Sequence, residues 1–194
     1  MAHKFNPAHK SSLHSQERLA SMPPGETLIN LGLEKDDIFV DVGCGTGYFT
    51  EGAVSIISDT SRIYALDTSS EMLEALKERL SDLSVPGLDR LNTVQTAEYD
   101  FKVPDNTATF CILSFVLHEV DDKSRFLLEG KRIVQPGGTL AVIEWERKPT
   151  VHGPPMDHRL EKSRVAKWFV ETGFSGIQLR TIGTDYYAVT GRTA

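Results

Sequence analysis

Very little in this chain points to a membrane anchor, a covalent scaffold or a nucleic-acid partner. It has two cysteines in 194 residues, Cys44 and Cys111, which supports no disulfide framework and fits a reducing, cytoplasmic setting. No run approaches the ~18 apolar residues of a membrane helix. The opening MAHKFNPAHKSSLHSQ has basic residues but no apolar stretch behind them, so no secretory leader is expected. Positive charge is also short, with 21 Lys and Arg against 27 Asp and Glu, a formal net of −6. Without a basic stripe to neutralise phosphates, nucleic acid is disfavoured as a partner. His3, His9, His14, His152 and His158 lack the spacing of zinc ligands, and no metal is expected. What is present is ordinary for a globular protein, 40% hydrophobic and 25% charged, at a length suited to one domain.

The pattern along the chain changes at Ile38. Before it, SQERLASM and TLINLGLEKDD read as two short helices separated by the breaker Pro23-Pro24-Gly25. After it, short β-branched runs alternate with helical segments. The runs IFVDV (38–42), RIYALD (62–67), LNTVQTA (91–97), ATFCILSFV (108–116) and TLAVIEWE (139–146) read as buried strands. Between them, Gly47 to Ser55, SSEMLEALKERL and DKSRFLLEGKRIV read as helices, the last stopped by a turn at Gln135-Pro136-Gly137-Gly138. Residues 147–155, with three prolines, form an irregular connector, and SRVAKWFVETGF is an amphipathic helix ended by Gly173. The closing strands GIQLRTI and YYAVTGR are too close for a crossover and must be antiparallel. The expected fold is α/β: a Rossmann-like, doubly wound, mostly parallel seven-stranded sheet with a terminal antiparallel hairpin strand and helices on both faces.

The first strand runs into Gly43-Cys44-Gly45-Thr46-Gly47 and then a helix. A strand, tight turn and helix N-terminus present backbone N–H groups to an anionic group, and glycines let the backbone approach it closely. The nicotinamide pattern G-x-G-x-x-G fails because position 48 is Tyr, and no Gly-Lys-Ser/Thr follows to make a P-loop. Asp67 ends the second strand, where a carboxylate can accept from both ribose hydroxyls or simply cap the next helix. Loop and carboxylate together point to an adenosine-bearing ligand.

These residues carry a family resemblance. DVGCGTG with Asp67 resembles the cofactor-binding motif of class I S-adenosylmethionine-dependent methyltransferases. TAEYDFKVPDNTATFCILSFVLHEVDD and GKRIVQPGGTLAVIEWE resemble that family's later segments, so the likeness covers about Ile38 to Glu146. The small-molecule branch that includes the ubiquinone/menaquinone and arsenite methyltransferases is the most similar. The resemblance implies S-adenosylmethionine as cofactor, released as S-adenosylhomocysteine. It implies that Asp41 orients the methionine amino group, directly or through water, and that Gly43, Cys44, Gly45 and Gly47 line the aminocarboxypropyl arm. Asp67 would hold the ribose, with Thr68 and Met72 beside the adenine, Ala97 and Glu98 at the adenine edge, and Ser114 and Phe115 flanking the sulfonium. Relatives often carry Asp where this chain has Thr96, which weakens that adenine contact or moves it to Glu98.

Methyl transfer rests mainly on holding donor and acceptor in line, and a base is needed only when the acceptor loses a proton. His118, in the loop after the fourth strand, is the candidate for acid–base work, or a packed or positioning histidine. Trp145 is a candidate wall of the acceptor pocket, or a core aromatic. Arsenite is excluded because two cysteines, one in the cofactor turn and one in a buried strand, cannot make its thiolate site. A small-molecule acceptor is the expected partner. A non-catalytic sensor or scaffold that binds the same cofactor, and a nicotinamide-dependent oxidoreductase, are the competing readings. Residues 1–33, including Phe5, are expected to form a helical lid over a core of residues 34–194, all within one domain.

Overall fold

The computed structural model describes residues 16–85 and 87–194. Phe5, His3, His9 and His14 therefore lie outside the described residues. The chain begins with α1 (Gln16–Ser21) and α2 (Pro24–Leu31). The Pro-Pro-Gly segment ends one helix and also opens the next. Pro24 stands at the first helical positions, where its missing N–H breaks no hydrogen bond. Helix α2 thus starts three residues before the TLINL run and closes at Gly32, whose φ of +99° is left-handed.

Seven strands form one sheet: β1 (Phe39–Val42), β2 (Ile63–Asp67), β3 (Leu91–Gln95), β4 (Ala108–Ser114), β5 (Val134–Trp145), β6 (Ser175–Ile182) and β7 (Tyr186–Arg192). Their order is β3-β2-β1-β4-β5-β7-β6. Strands β1 to β5 pair in parallel. Strand β7 is antiparallel to both its neighbours, so it alone runs against the other six and inserts between β5 and β6. The helices α3 (Tyr48–Val54), α4 (Ser70–Asp82), α5 (Lys123–Ile133) and α6 (Lys162–Glu171) follow β1, β2, β4 and β5, while β3 leads to β4 without a helix. Helix α4 is capped by Ser69, whose side chain accepts from the Met72 N–H.

Side-chain alternation splits the core across the sheet. Phe39, Ile63, Phe110, Ile112, Ala141 and Ile143 pack with α2 and α3. Val40, Val42, Cys111, Leu113 and Val142 pack with α5 and α6 on the other face. The turn foreseen at Gln135–Gly138 lies inside β5 rather than ahead of it. Val134 pairs with Ala108 and Thr139 with Phe110, so the extra residues bulge from the strand while pairing continues on both sides. No helix among the described residues is long and apolar enough to cross a membrane.

Candidate active site

Strand order reverses between β1 and β4, and the crevice beyond their carboxyl ends is where open α/β sheets bind ligands. A cavity of about 970 Å³ opens there. Gly43, Cys44 and Gly45 form its floor, Asp67, Thr68 and Met72 one side, and Thr96, Ala97 and Glu98 the far end. Ser114, Phe115 and His118, from the end of β4 and the turn after it, form the opposite wall. Asp41 and Gly47 do not line it.

The glycine loop is held by its own hydrogen bonds. Cys44 N–H donates to Leu66 O (2.9 Å) and Gly47 N–H to Cys44 O (2.9 Å). Gly45 N–H donates to Asp67 Oδ2 (2.9 Å). Three of the donors that the motif offers to a ligand are therefore used in shaping the loop. The glycines also answer to packing: a Cβ on Gly43, at φ +68°, would lie 2.2 Å from Val116 Cγ1, and one on Gly47, at φ +88°, 2.9 Å from Leu76.

Asp67 braces both sides of the crevice, since its Oδ1 accepts from Ser69 N–H (2.9 Å) while Oδ2 holds Gly45. Burial makes this carboxyl a weaker acid than an ordinary aspartate, against the pull of those N–H groups. Each carboxylate oxygen keeps acceptor capacity beyond these bonds. Behind the loop, Asp41 is 1% exposed. Its Oδ2 accepts from the Thr50 hydroxyl (2.7 Å), while Oδ1 is buried with no hydrogen-bond partner. Burial pushes this carboxyl up to about 7; Asp67 adds to the shift, and Thr50 and Arg18 oppose it.

The opposite wall is aromatic. Phe115, with φ +58°, is held in a strained left-handed conformation. Its ring meets those of Trp145 (5.8 Å between centroids) and Tyr186 (5.4 Å). All three rings line the cavity, as do Glu17, Arg18 and Ser21 of α1. The Arg18 guanidinium lies over the rings of Tyr48 (4.1 Å) and Phe115 (4.9 Å). Across the mouth, the 147–155 connector is tied down by Arg159. That guanidinium donates to the carbonyls of Glu146, Lys148, His152 and Pro154 and lies over Trp145. Neither Arg18 nor Arg159 stood out in the sequence, where each is an isolated cation in a helix or loop.

His118 faces the cavity with a partner that sequence reasoning missed. Glu144, 1% exposed one residue before the carboxyl end of β5, places Oε2 2.8 Å and Oε1 3.1 Å from His118 Nδ1. Its Oε1 also accepts from the His118 N–H (3.0 Å). Burial lowers the imidazole's basicity, but Glu144 outweighs it and the net shift is upward. The one signal available in the sequence was a carboxylate inside the apolar run LAVIEW. His152 belongs to the mouth of the same cavity, and no cluster of three metal-ligating side chains occurs among the described residues.

The topology, the looped floor and the strand-end carboxylate define a nucleotide-type crevice in a seven-stranded α/β sheet. Residues 40–142 match the family model described as a methyltransferase domain, and the chain belongs to that family. A similar relative is the ubiquinone/menaquinone biosynthesis C-methyltransferase UbiE of Haemophilus ducreyi, 33% identical over 116 residues. That match takes in 60% of this chain but only 44% of the relative. Among solved structures, a SAM-dependent methyltransferase from Aquifex aeolicus superposes with a TM-score of 0.90 at 25% identity. The superposition covers 98% of this chain and 100% of that one. A phosphoethanolamine N-methyltransferase 2 from Haemonchus contortus, in complex with S-adenosyl-L-methionine, has a TM-score of 0.75 at 10% identity. It covers 96% of this chain and 56% of that one, and shows the shared fold.

Proposed function

We propose that this chain is an S-adenosylmethionine-dependent methyltransferase acting on a small-molecule acceptor. The observation that carries the reading is Asp67: it sits at the end of β2, braces the glycine loop, and faces the crevice at the switch point. A ribose diol needs one charged acceptor in that position, and the unpartnered Oδ1 of Asp41 suits a cationic amino group behind the loop, reached through a bridging water. When bound, S-adenosylmethionine supplies a methyl carbon activated by a positive sulfur. The residues of this chain bind, orient and desolvate around it. Gly43, Cys44 and Gly45 receive the aminocarboxypropyl arm, and Gly47 supports that loop from outside the cavity. Thr68, Met72, Ala97 and Glu98 receive the adenine. Ser114 and Phe115 flank the sulfonium. Arg18 brings positive charge to the methionine end.

Ligand pockets of about 300–1,000 Å³ hold a drug-sized molecule, and this cavity lies at the upper end of that range. Its aromatic wall of Phe115, Trp145 and Tyr186 is the acceptor side, where flat apolar surface excludes water around the moving methyl group. The H. ducreyi relative's name specifies C-methylation in quinone biosynthesis, and a carbon acceptor of this size is compatible with the same wall. With methyl-labelled S-adenosylmethionine and a panel of phenols, amines and thiols, wild type is expected to yield labelled product and Asp67→Ala none. Tight cofactor binding with no transfer to any acceptor would favour a sensor instead.

A further inference from the structure

We infer that Glu144 is a positioning residue that orients His118 as a general base, so that the methyl acceptor is a group that surrenders a proton. The inference rests on the methyltransferase reading above. Glu144 is a carboxylate next to the carboxyl end of the apolar strand β5, 1% exposed, where an ion is costly unless it is paired and fully hydrogen-bonded. Both of its oxygens serve one residue: Oε1 receives the His118 backbone N–H, and Oε2 faces Nδ1 at 2.8 Å. A carboxylate accepts only, so the proton of the neutral imidazole is fixed on Nδ1 and the lone pair is left on Nε2. Nε2 makes no hydrogen bond among the described residues, and Glu119 Oε1 stands 3.9 Å away. His118 lines the cavity beside Ser114 and Phe115, whereas Glu144 does not. The carboxylate is therefore kept from the acceptor and acts only through the imidazole.

The charged and titratable groups around the ring are Glu144 on β5, Glu119 on its own turn and Lys123 at the start of α5. Tyr187 on β7 adds a phenol whose acidity is suppressed by burial and, beyond that, by the Glu144 charge. Two carboxylates against one ammonium favour the imidazolium, as a base that must hold a proton requires. In the reaction, the acceptor's electron pair forms the new bond to the methyl carbon as the sulfur–methyl bond breaks. That bonding pair stays on sulfur, leaving a neutral thioether. The acceptor's proton moves to His118 Nε2, so the positive charge lost from sulfur reappears on an imidazolium paired with Glu144, which then releases the proton to water. Acceptors with an ionisable O–H, S–H or activated C–H fit this balance; a ring nitrogen of the pyridine kind, which loses no proton, has no use for it.

Glu144→Gln tests the assignment while preserving shape. The His118 N–H holds the carbonyl oxygen of the new side chain at the Oε1 position, which turns its NH₂ toward Nδ1 and forces the ring proton onto Nε2. Long-range ¹H–¹⁵N NMR of the full chain with S-adenosylhomocysteine should show the Nδ1–H tautomer in wild type and Nε2–H in Glu144→Gln. Methyl transfer to the phenols and thiols of the panel should fall by about 10²–10⁴-fold and lose its histidine inflection with pH, while the S-adenosylhomocysteine dissociation constant stays within about twofold, ~0.4 kcal/mol. An Nε2–H tautomer in wild type overturns the inference. So does a variant that transfers at the wild-type rate with the same pH profile, or wild-type transfer to pyridine as fast as to phenols. If no panel member is methylated, the tautomer decides. Titration keeps the two readings apart: S-adenosylhomocysteine binding with the wrong tautomer refutes the dyad alone, and no binding to wild type refutes the cofactor reading.

Discussion

Replacing Gly43 with alanine separates two explanations of the same glycine. If Gly43 served only the close approach of a ligand, Gly43→Ala would weaken binding and leave the fold intact. The structure predicts a folding defect as well. The added Cβ would sit 2.2 Å from Val116 Cγ1 and 3.3 Å from its Cβ. Overpacking of this kind costs about 1–3 kcal/mol, and holding a non-glycine residue at φ +68° costs about 1–2 kcal/mol more. The sum, roughly 2–5 kcal/mol, is a large share of the ~5–15 kcal/mol that stabilises a typical domain. Val116→Ala alone removes two half-buried methyl groups and should cost about 1 kcal/mol. In the double variant the nearest obstruction is gone, so the steric part should be recovered and the backbone part should remain. A denaturant-unfolding cycle is expected to show a coupling of about 1–3 kcal/mol between the two sites. Strict additivity, or Gly43→Ala unfolding at the wild-type denaturant concentration, would refute the packing explanation.

Four further outcomes follow from the same geometry. Asp67→Ala removes a charged acceptor from two ribose hydroxyls, at about 1.5–3 kcal/mol per bond, so the S-adenosylhomocysteine dissociation constant should rise by about 100-fold or more in titration calorimetry. The Asp41 carboxyl, raised to about 7 by burial, binds more protons folded than unfolded between its ordinary value and 7. Stability should therefore fall as pH rises through that window, and Asp41→Asn should flatten the denaturation profile. An amino group arriving behind the loop favours the charged carboxylate, so S-adenosylmethionine should bind with proton release near pH 7, seen as a dependence of the binding heat on buffer ionisation. Deleting the residues before Pro23 removes Arg18 and its contacts over Tyr48 and Phe115. Cofactor affinity should drop if this helix is the lid, and an unchanged affinity would remove that role.

The sheet was legible because the buried strands are short β-branched runs and most crossovers carry a separate helical segment, the 96–107 connection from β3 to β4 being the exception. The three-residue link between Ile182 and Tyr186 forced the reversed pair, although nothing local showed that β7 would insert between β5 and β6. Pro24 and the Gln135–Gly138 turn were harder, because proline both ends and starts helices and a glycine turn can bulge from a strand without ending it. In the candidate site, the glycine loop and Asp67 were readable as a contiguous pattern at two strand ends. Glu144 and Arg159 were not, since each takes its meaning from partners brought near by the fold: Glu144 from His118, 26 residues earlier, and Arg159 from a fan of loop carbonyls. Asp41 was readable as part of the motif, but not its position behind the loop, with one oxygen tied to Thr50.

Titration calorimetry of the full chain with S-adenosylhomocysteine, S-adenosylmethionine and NAD tests the central claim most directly. Both sulfur nucleosides should bind one per chain with micromolar affinity, and NAD should give no heat of binding. NAD binding with neither sulfur nucleoside bound would contradict the assignment of this crevice.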